Sequence, residues 1–580
     1  MNVRYYILSV VLGVTGAMSA QQDSLRREVV VEKNFTPIVH DASKINVMPA
    51  VVAPNTAKQK ISYSEWSVPV QIEPTFAPLS TYSFTPRRTY SKKRGYADLA
   101  IGNNLNIVAG AGYRILDNDA DRLGIWYQHN SADTYLDYAE SKNATGFKRT
   151  HYKLNDNRVN LDYAHTFKSL VLSAEAGYRY NAFDYYGWRR STGEADPASY
   201  PSNYLTQAVN QVNARVGISS SADRQDVWYS LSLGYDRIGN KYGFNDRMGS
   251  AENQIALDFK IAAPLNRRAV LSIDGALNTL IYEHVSGDLF PAEFKSKDYT
   301  MLTFNPHFDF QYRQVRAKIG LRFDLSFNEG TIARFAPDVR FDWEFYKGYF
   351  LFASLGGGKE LNTWRSISDI TRYYNPSRWL PGTYTPLDLQ AGFSVNSLPG
   401  FALTLYGGYQ TSKSILFRQV VADTGNDDPM LSRAYINWIG IDAYCGKLGV
   451  NASYRYGDQV EITADMAYRH WFDSQKDKAI TYDRPRWEGK FRVNYDPIKP
   501  LSLYVNYYMA LGRTYGDPSA LSRMGKLRDI HLLGLGASYR IKPFVSVFVQ
   551  ADNLLNRKYE IAYGMPGQGI YFLAGASFKF

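Results

Sequence analysis
Residues 315–327 read VRAKIGLRFDLSF. Val315, Ala317, Ile319, Leu321, Phe323, Leu325 and Phe327 alternate with Arg316, Lys318, Gly320, Arg322, Asp324 and Ser326. A strand turns successive side chains to opposite faces, so this stretch has one greasy face and one charged face. The split recurs at Val339, Phe341, Trp343 and Phe345 against Asp338, Arg340, Asp342 and Glu344. It recurs again at Val460, Ile462, Ala464, Met466 and Tyr468 against Glu461, Thr463, Asp465 and Arg469. From residue 93 onward the period is two almost everywhere. The alternation lasts about 11 to 15 residues per strand, longer than the roughly 5 to 6 usual in soluble sheets and long enough to cross a bilayer at a tilt.

The connections between these runs alternate in length. Tight turns fall near 115–119, 166–169, 221–225, 264–267, 312–315, 345–348, 397–400, 457–459, 497–500 and 541–543. The eleven connections between them are mostly longer, including 131–149, 183–206, 361–382, 414–431, 471–483, 513–526 and 554–568. Ten turns and eleven loops join 22 strands. Short turns on one side and long loops on the other, with an even strand count, describe a closed antiparallel barrel in the outer membrane, its short turns in the periplasm. Residues 432–456 are read as one long strand; a turn at Cys445 to Lys447 would break the parity.

The C-terminus agrees. In YFLAGASFKF, Phe572, Ala574, Ala576, Phe578 and Phe580 share one face, so the chain ends on a lipid-facing aromatic. Upstream stand Asn553, Leu554, Leu555, Asn556, Lys558, Tyr559 and Glu560, followed by Pro566 and Gly567. This segment resembles the end of a TonB-dependent receptor, with Gln568 where that family usually has Arg. The resemblance implies a Gram-negative outer-membrane location and transport of a substrate. It also makes Phe578 and Phe580 the signal read by the barrel-assembly machinery.

The other end departs from that family. Residues 1–20, MNVRYYILSVVLGVTGAMSA, have a basic Arg4, a short apolar stretch and small residues before a cut after Ala20, the pattern of a secretory signal peptide. Residues 21–92 hold seven prolines (Pro37, Pro49, Pro54, Pro69, Pro74, Pro78 and Pro86) and are too few for a receptor's globular plug. They read as an extended periplasmic arm, with residues 93–580 as the barrel. Glu28 to Val31 resembles a TonB box, so TonB or another envelope protein is a partner the arm would meet. A barrel this wide without a plug would leak. Inward-folded external loops, the arm or a partner must close it, and a plugless scaffold or assembly subunit is the alternative to a transporter.

The chain's 580 residues carry 66 Lys+Arg and 55 Asp+Glu, and 15% are aromatic. The net charge of 66 − 55 = +11 is spread over strands, not clustered as nucleic-acid binding requires. The single Cys445 excludes a disulfide framework. No constellation reads as catalytic, metal-binding or cofactor-binding. The eight histidines are scattered. Gly356-Gly357-Gly358-Lys359 lacks the first glycine and the Ser/Thr of a phosphate loop, and Asp117, Asp119 and Asp121 lack the glycine and glutamate of a calcium loop. Candidate recognition residues sit in two long external loops: Trp188, Arg189 and Arg190 beside Tyr185 and Tyr186, and Trp364, Arg365, Arg372 and Trp379 beside Tyr373, Tyr374 and Arg378. Aromatic and Arg enrichment suits a recognition surface. It equally suits a belt meeting outer-membrane lipids and lipopolysaccharide.

Overall fold
The computed structural model describes residues 93–580 apart from 138–148, 187–205, 222–226, 244–248, 284–297, 423–433, 474–478, 481–483 and 518–519. The signal peptide, the proline-rich arm, the Glu28 to Val31 motif, and Trp188, Arg189 and Arg190 lie outside the described residues.

Twenty-two antiparallel strands form one closed sheet. They are β1 (Gly95–Gly102), β2 (Ile107–Asp117), β3 (Asp121–Asp137), β4 (Arg149–Thr166), β5 (Leu170–Asp184), β6 (Thr206–Ser220), β7 (Trp228–Asn240) and β8 (Ser250–Asn266). Next come β9 (Ala269–Glu283), β10 (Tyr299–Tyr312), β11 (Val315–Phe327), β12 (Ala333–Tyr346), β13 (Tyr349–Glu360), β14 (Thr383–Leu398), β15 (Phe401–Ala422) and β16 (Ala434–Tyr456). The ring is completed by β17 (Val460–Asp473), β18 (Trp487–Ile498), β19 (Leu501–Leu511), β20 (Ile530–Lys542), β21 (Val545–Asp552) and β22 (Tyr571–Lys579). Closure is in register: Leu99 of β1 faces Ala576 of β22 and Ala97 faces Phe578. A closed ring leaves no strand edge unpaired, which a lipid environment demands.

Nine of the ten tight turns lie within a few residues of their expected positions and share one end with Gly95 and Phe580, while the tenth, between β6 and β7, falls on residues 222–226 outside the described ones. Residues Ala434–Tyr456 are a single 23-residue strand, and Cys445 pairs with Gln410 on one side and Trp471 on the other. The parity therefore holds. Strand lengths are less uniform than the periodicity implied, from 8 residues in β1 to 23 in β16.

The two faces divide as the alternation requires. Ile319, Leu321, Phe323, Phe341, Trp343 and Phe345 stand outward and exposed, the apolar band a bilayer covers. Their neighbours point into the lumen and pair across strands: Lys318 with Asp338 at 2.6 Å, Arg215 with Asp258 at 2.7 Å, Arg179 with Asp156 at 2.8 Å and Lys447 with Asp388 at 2.6 Å. The mixed charges of the lumen thus satisfy one another as ladders along the wall.

Candidate functional site: an aromatic cap over the lumen
The connection from β13 to β14 turns inward. Its departure is prepared at Gly358, whose φ of +122° lies where side chains are disfavoured, and a Cβ there would stand 2.5 Å from the Arg322 guanidinium. The chain then forms a short helix, α1 (Trp364–Ile370). Thr363 caps it by accepting from the Ser366 amide at 3.0 Å, while the Ser366 hydroxyl accepts from the Thr363 amide at 3.1 Å. The Trp364 amide donates to both carboxylate oxygens of Glu252, at 2.9 and 3.0 Å.

The helix lies inside the barrel, because every wall residue it meets is on the lumen face. Arg179 donates to Asp369 at 3.1 Å, Gln211 donates to Ser368 at 2.9 Å, and Arg365 pairs with Asp236. The strand neighbours of these wall residues, Tyr178, Val212 and Tyr235, are exposed on the outside. Beyond the helix, the Tyr374 hydroxyl donates to Asn240 at 2.7 Å and Ser250 donates to the Pro376 carbonyl at 2.8 Å.

A second element arrives from the opposite wall. β15 and β16 extend well past the roughly ten residues a tilted strand needs to span lipid, with 22 and 23 residues. A bulge between Ser412 and Ile415 breaks their register, and Ser414 adopts a φ of +53°. Opposite it, Gly440 leaves a side chain little room: a Cβ would stand 3.0 Å from Pro381 Cγ and 3.1 Å from Ser414 Cβ. Above this bulge β16 pairs with no described residue of β17, and that stretch of β16 bonds the inward loop. The Ile436 amide donates to the Tyr373 carbonyl at 2.7 Å, and the Asn375 amide donates to the Ile436 carbonyl at 3.0 Å. The hairpin reaches the end of β5, where the Ala434 amide donates to the Tyr186 carbonyl at 3.0 Å and the Tyr435 ring lies 4.7 Å from Tyr185. The Tyr186 hydroxyl donates to the Pro566 carbonyl at 2.9 Å, bringing the last long loop into the same structure.

These contacts close on one apolar cluster. It includes Phe183, Tyr185, Tyr186, Trp364, Tyr373, Tyr374, Tyr435, Ile436 and Met565, each 4% exposed or less. Rings meet edge to face or tilted, as Phe183 with Tyr373 at 5.4 Å and Tyr282 with Trp364 at 5.4 Å. Burial pushes the hydroxyls of Tyr186, Tyr373 and Tyr374 well above the ordinary phenol range, so all three stay neutral, and Tyr186 and Tyr374 act as donors.

The candidate recognition residues divide accordingly. Trp364 is fully buried as the anchor of the cap, its indole N–H donating to the Arg378 carbonyl at 3.1 Å. Arg365 binds the wall, and Arg372 and Trp379 are only partly accessible. The enrichment in Tyr, Trp and Arg thus builds an interior here, a third use of a composition that also suits a surface. Glu252, Asp236, Asn240 and Ala434 were not marked by the sequence; each lies in a strand as one more residue of an alternating pattern. Among the described residues no group of three metal-binding side chains converges.

No family model matches the chain, and no curated protein matches it in sequence. Solved structures do match in fold. The ferric enterobactin receptor PfeA of Pseudomonas aeruginosa is 12% identical over 85% of this chain and 81% of its own, with a TM-score of 0.64. The siderophore receptor PirA of Acinetobacter baumannii is 11% identical over the same shares, also at 0.64. The copper transporter OprC is 15% identical over 86% of this chain and 82% of its own, at 0.57. The chain therefore has the 22-strand barrel fold of the TonB-dependent outer-membrane receptors.

Proposed function
We propose that the protein moves a substrate across the outer membrane of a Gram-negative bacterium and that the aromatic cap is its outer gate. The observation that carries this reading is the hydrogen bond and ring contact between β16 and the two tyrosines that follow β5. A barrel of this gauge is wide enough to hold a large solute, and loops from several sectors of its wall meet over the opening. A wall built to enclose a wide lumen and then shut at one end is the arrangement of a gated path. The fold shared with siderophore receptors and a copper transporter supports the class of function and leaves the substrate unnamed. Barrel-assembly machinery, membrane lipids and lipopolysaccharide, and TonB or another envelope protein at residues 21–92 are the partners this reading requires.

A scaffold or assembly subunit is the second reading, favoured by the extent of the cap's buried core, which resembles permanent packing. Planar-bilayer conductance separates the two. A gate opens when residues 364–379 are replaced by a short Gly-Ser linker together with removal of residues 28–92, giving large channels. A scaffold whose lumen is filled by another polypeptide remains closed and loses co-purifying envelope proteins.

A further inference from the structure
The rim of the barrel at the short-turn end is not uniform in charge. Three successive turns, β8 to β9, β10 to β11 and β12 to β13, carry Arg267, Arg268, Arg313 and Lys347 and no carboxylate. The turn from β2 to β3 carries Asp119 instead, with Asp117 and Asp121 at the strand ends on either side of it. Within the basic sector two turns converge on one ring. The guanidinium carbons of Arg268 and Arg313 lie 4.8 and 5.3 Å from the centroid of Tyr312. The approach is fixed by backbone: the Gln311 amide donates to the Arg268 carbonyl at 2.9 Å, and Arg313 holds a φ of +52° in the tight turn. Both guanidiniums are exposed and neither forms an ion pair with a carboxylate among the described residues. Tyr312 stands on the outward face at the lower edge of the apolar band, 39% exposed, with Phe310 beside it at 6.3 Å, and Leu265, three residues before Arg268, is exposed at the end of β8.

We propose that Arg268, Arg313 and Tyr312 form a binding site for the phosphate of an anionic phospholipid in the inner leaflet. The chemistry has three parts. Guanidiniums match phosphate oxygens through paired N–H donors. Stacking over Tyr312 holds them at the interface and spares the entropy of ordering long side chains. The outward ring and its apolar neighbours accept the acyl chains that a phospholipid, unlike a free anion, brings with it. A ring that already holds two cations has spare positive charge, and a headgroup phosphate is the counter-ion the leaflet supplies.

Native mass spectrometry of the full-length, detergent-solubilised protein tests this, with short-chain phosphatidylglycerol, phosphatidylcholine and inorganic phosphate as probes. Phosphatidylglycerol is expected to stay bound where phosphatidylcholine does not. The R268A/R313A double variant is expected to lose roughly thirty-fold in its affinity, at about fivefold per interfacial charge. R268K/R313K should keep the charge and lose part of the binding, because an ammonium neither stacks nor chelates as a guanidinium does. Heat-modifiable migration on gels confirms that each variant is a folded barrel. Equal retention of the two lipids by the native protein would overturn the proposal. So would undiminished retention by folded R268A/R313A, or displacement of the lipid by inorganic phosphate at equal concentration.

Discussion

The amide of Ala434 donates to the carbonyl of Tyr186 at 3.0 Å although β16 and β5, which lead to these residues, stand eleven positions apart in a ring of twenty-two. Eleven of twenty-two is half the circumference, so this bond spans the mouth. A wall-to-wall contact of this kind forms only if one side leaves the cylinder. The bulge at Ser412–Ile415 is where β15 and β16 do so.

The contact can be trapped. A Tyr186→Cys/Ala434→Cys pair in a Cys445→Ala background should form a disulfide on mild oxidation, since neighbouring strands bring Cα atoms within the roughly 4.4–6.8 Å a disulfide tolerates. The cross-link closes a loop of 434 − 186 = 248 residues, so the oxidised chain runs faster on denaturing gels. Absence of that shift, with both thiols alkylated under oxidising conditions, would place the hairpin elsewhere.

The attachment of α1 rests on Glu252. Replacing it by Ala leaves the buried Trp364 amide without its acceptor, at a cost of about 1 to 3 kcal/mol. Hydrogen exchange should then accelerate about tenfold to a hundredfold across residues 361–382, at about 1.4 kcal/mol per tenfold. Strands such as β20 should exchange as before, because the barrel ladder does not depend on the cap. A uniform acceleration over the whole chain would mean that Glu252 supports the wall and not the cap.

Most of the barrel was legible because a single rule governs it. Lipid outside and water inside impose alternation on every strand, and Val315–Phe327 displays it without a break. Turn parity followed from the same rule. The cap obeys no comparable rule. Asp236 and Glu252 look in sequence like any other lumen-facing charge, and the decisive donor at Ala434 is a backbone amide that has no sequence signature. The one available signal was length: 432–456 is more than twice what a bilayer needs, and the excess had to go somewhere. The aromatics of the 361–382 loop were visible, yet composition alone does not say whether Trp364 faces solvent or a neighbour.

Sidedness can be read with an impermeant maleimide on intact cells. Ile332, 66% exposed between β11 and β12, and Tyr346, 67% exposed at a tight turn, lie at opposite ends of the barrel. In the Cys445→Ala background Ile332→Cys should label and Tyr346→Cys should label only after the outer membrane is permeabilised. The reverse pattern would invert the barrel and place the Arg268–Tyr312–Arg313 rim outside.

Phe580 should matter to assembly more than to the finished fold. Its ring is 59% exposed and packs against Tyr113 at a centroid distance of 6.2 Å, while its backbone bonds Gly95 at 2.7 and 2.9 Å. A Ser substitution keeps both backbone bonds and removes at most a few kcal/mol of apolar contact. Phe580→Ser protein refolded in detergent should therefore melt close to the native protein, whereas its level in the outer membrane should fall severalfold. Normal membrane levels in cells would remove Phe580 from any assembly signal.

Deletions can count the barriers in the lumen. Among the described residues, the contacts by which the cap closes the mouth run from Leu136 to Pro566, all of them after β1, so its integrity should not depend on the segment before that strand. Removing residues 28–92 alone should then leave conductance in planar bilayers near that of the full chain, and the barrel should still assemble, because strand pairing runs from Gly95 to Lys579. Replacing residues 364–379 by a short linker removes Trp364, Tyr373 and Tyr374 from the cluster. The hairpin of β15 and β16 then loses the bonds that Ile436 makes to Tyr373 and Asn375 above its bulge. If the arm supplies a second barrier, this single change gives small or brief openings, and only the combined variant conducts steadily. If the cap is the whole barrier, the linker variant alone conducts as fully as the combined one. Either result keeps the cap as a seal. Large steady channels from the arm deletion with the cap intact would show instead that the interlocked loops leave a path around Tyr186 and Ala434, and that closure is not what the aromatic core is for.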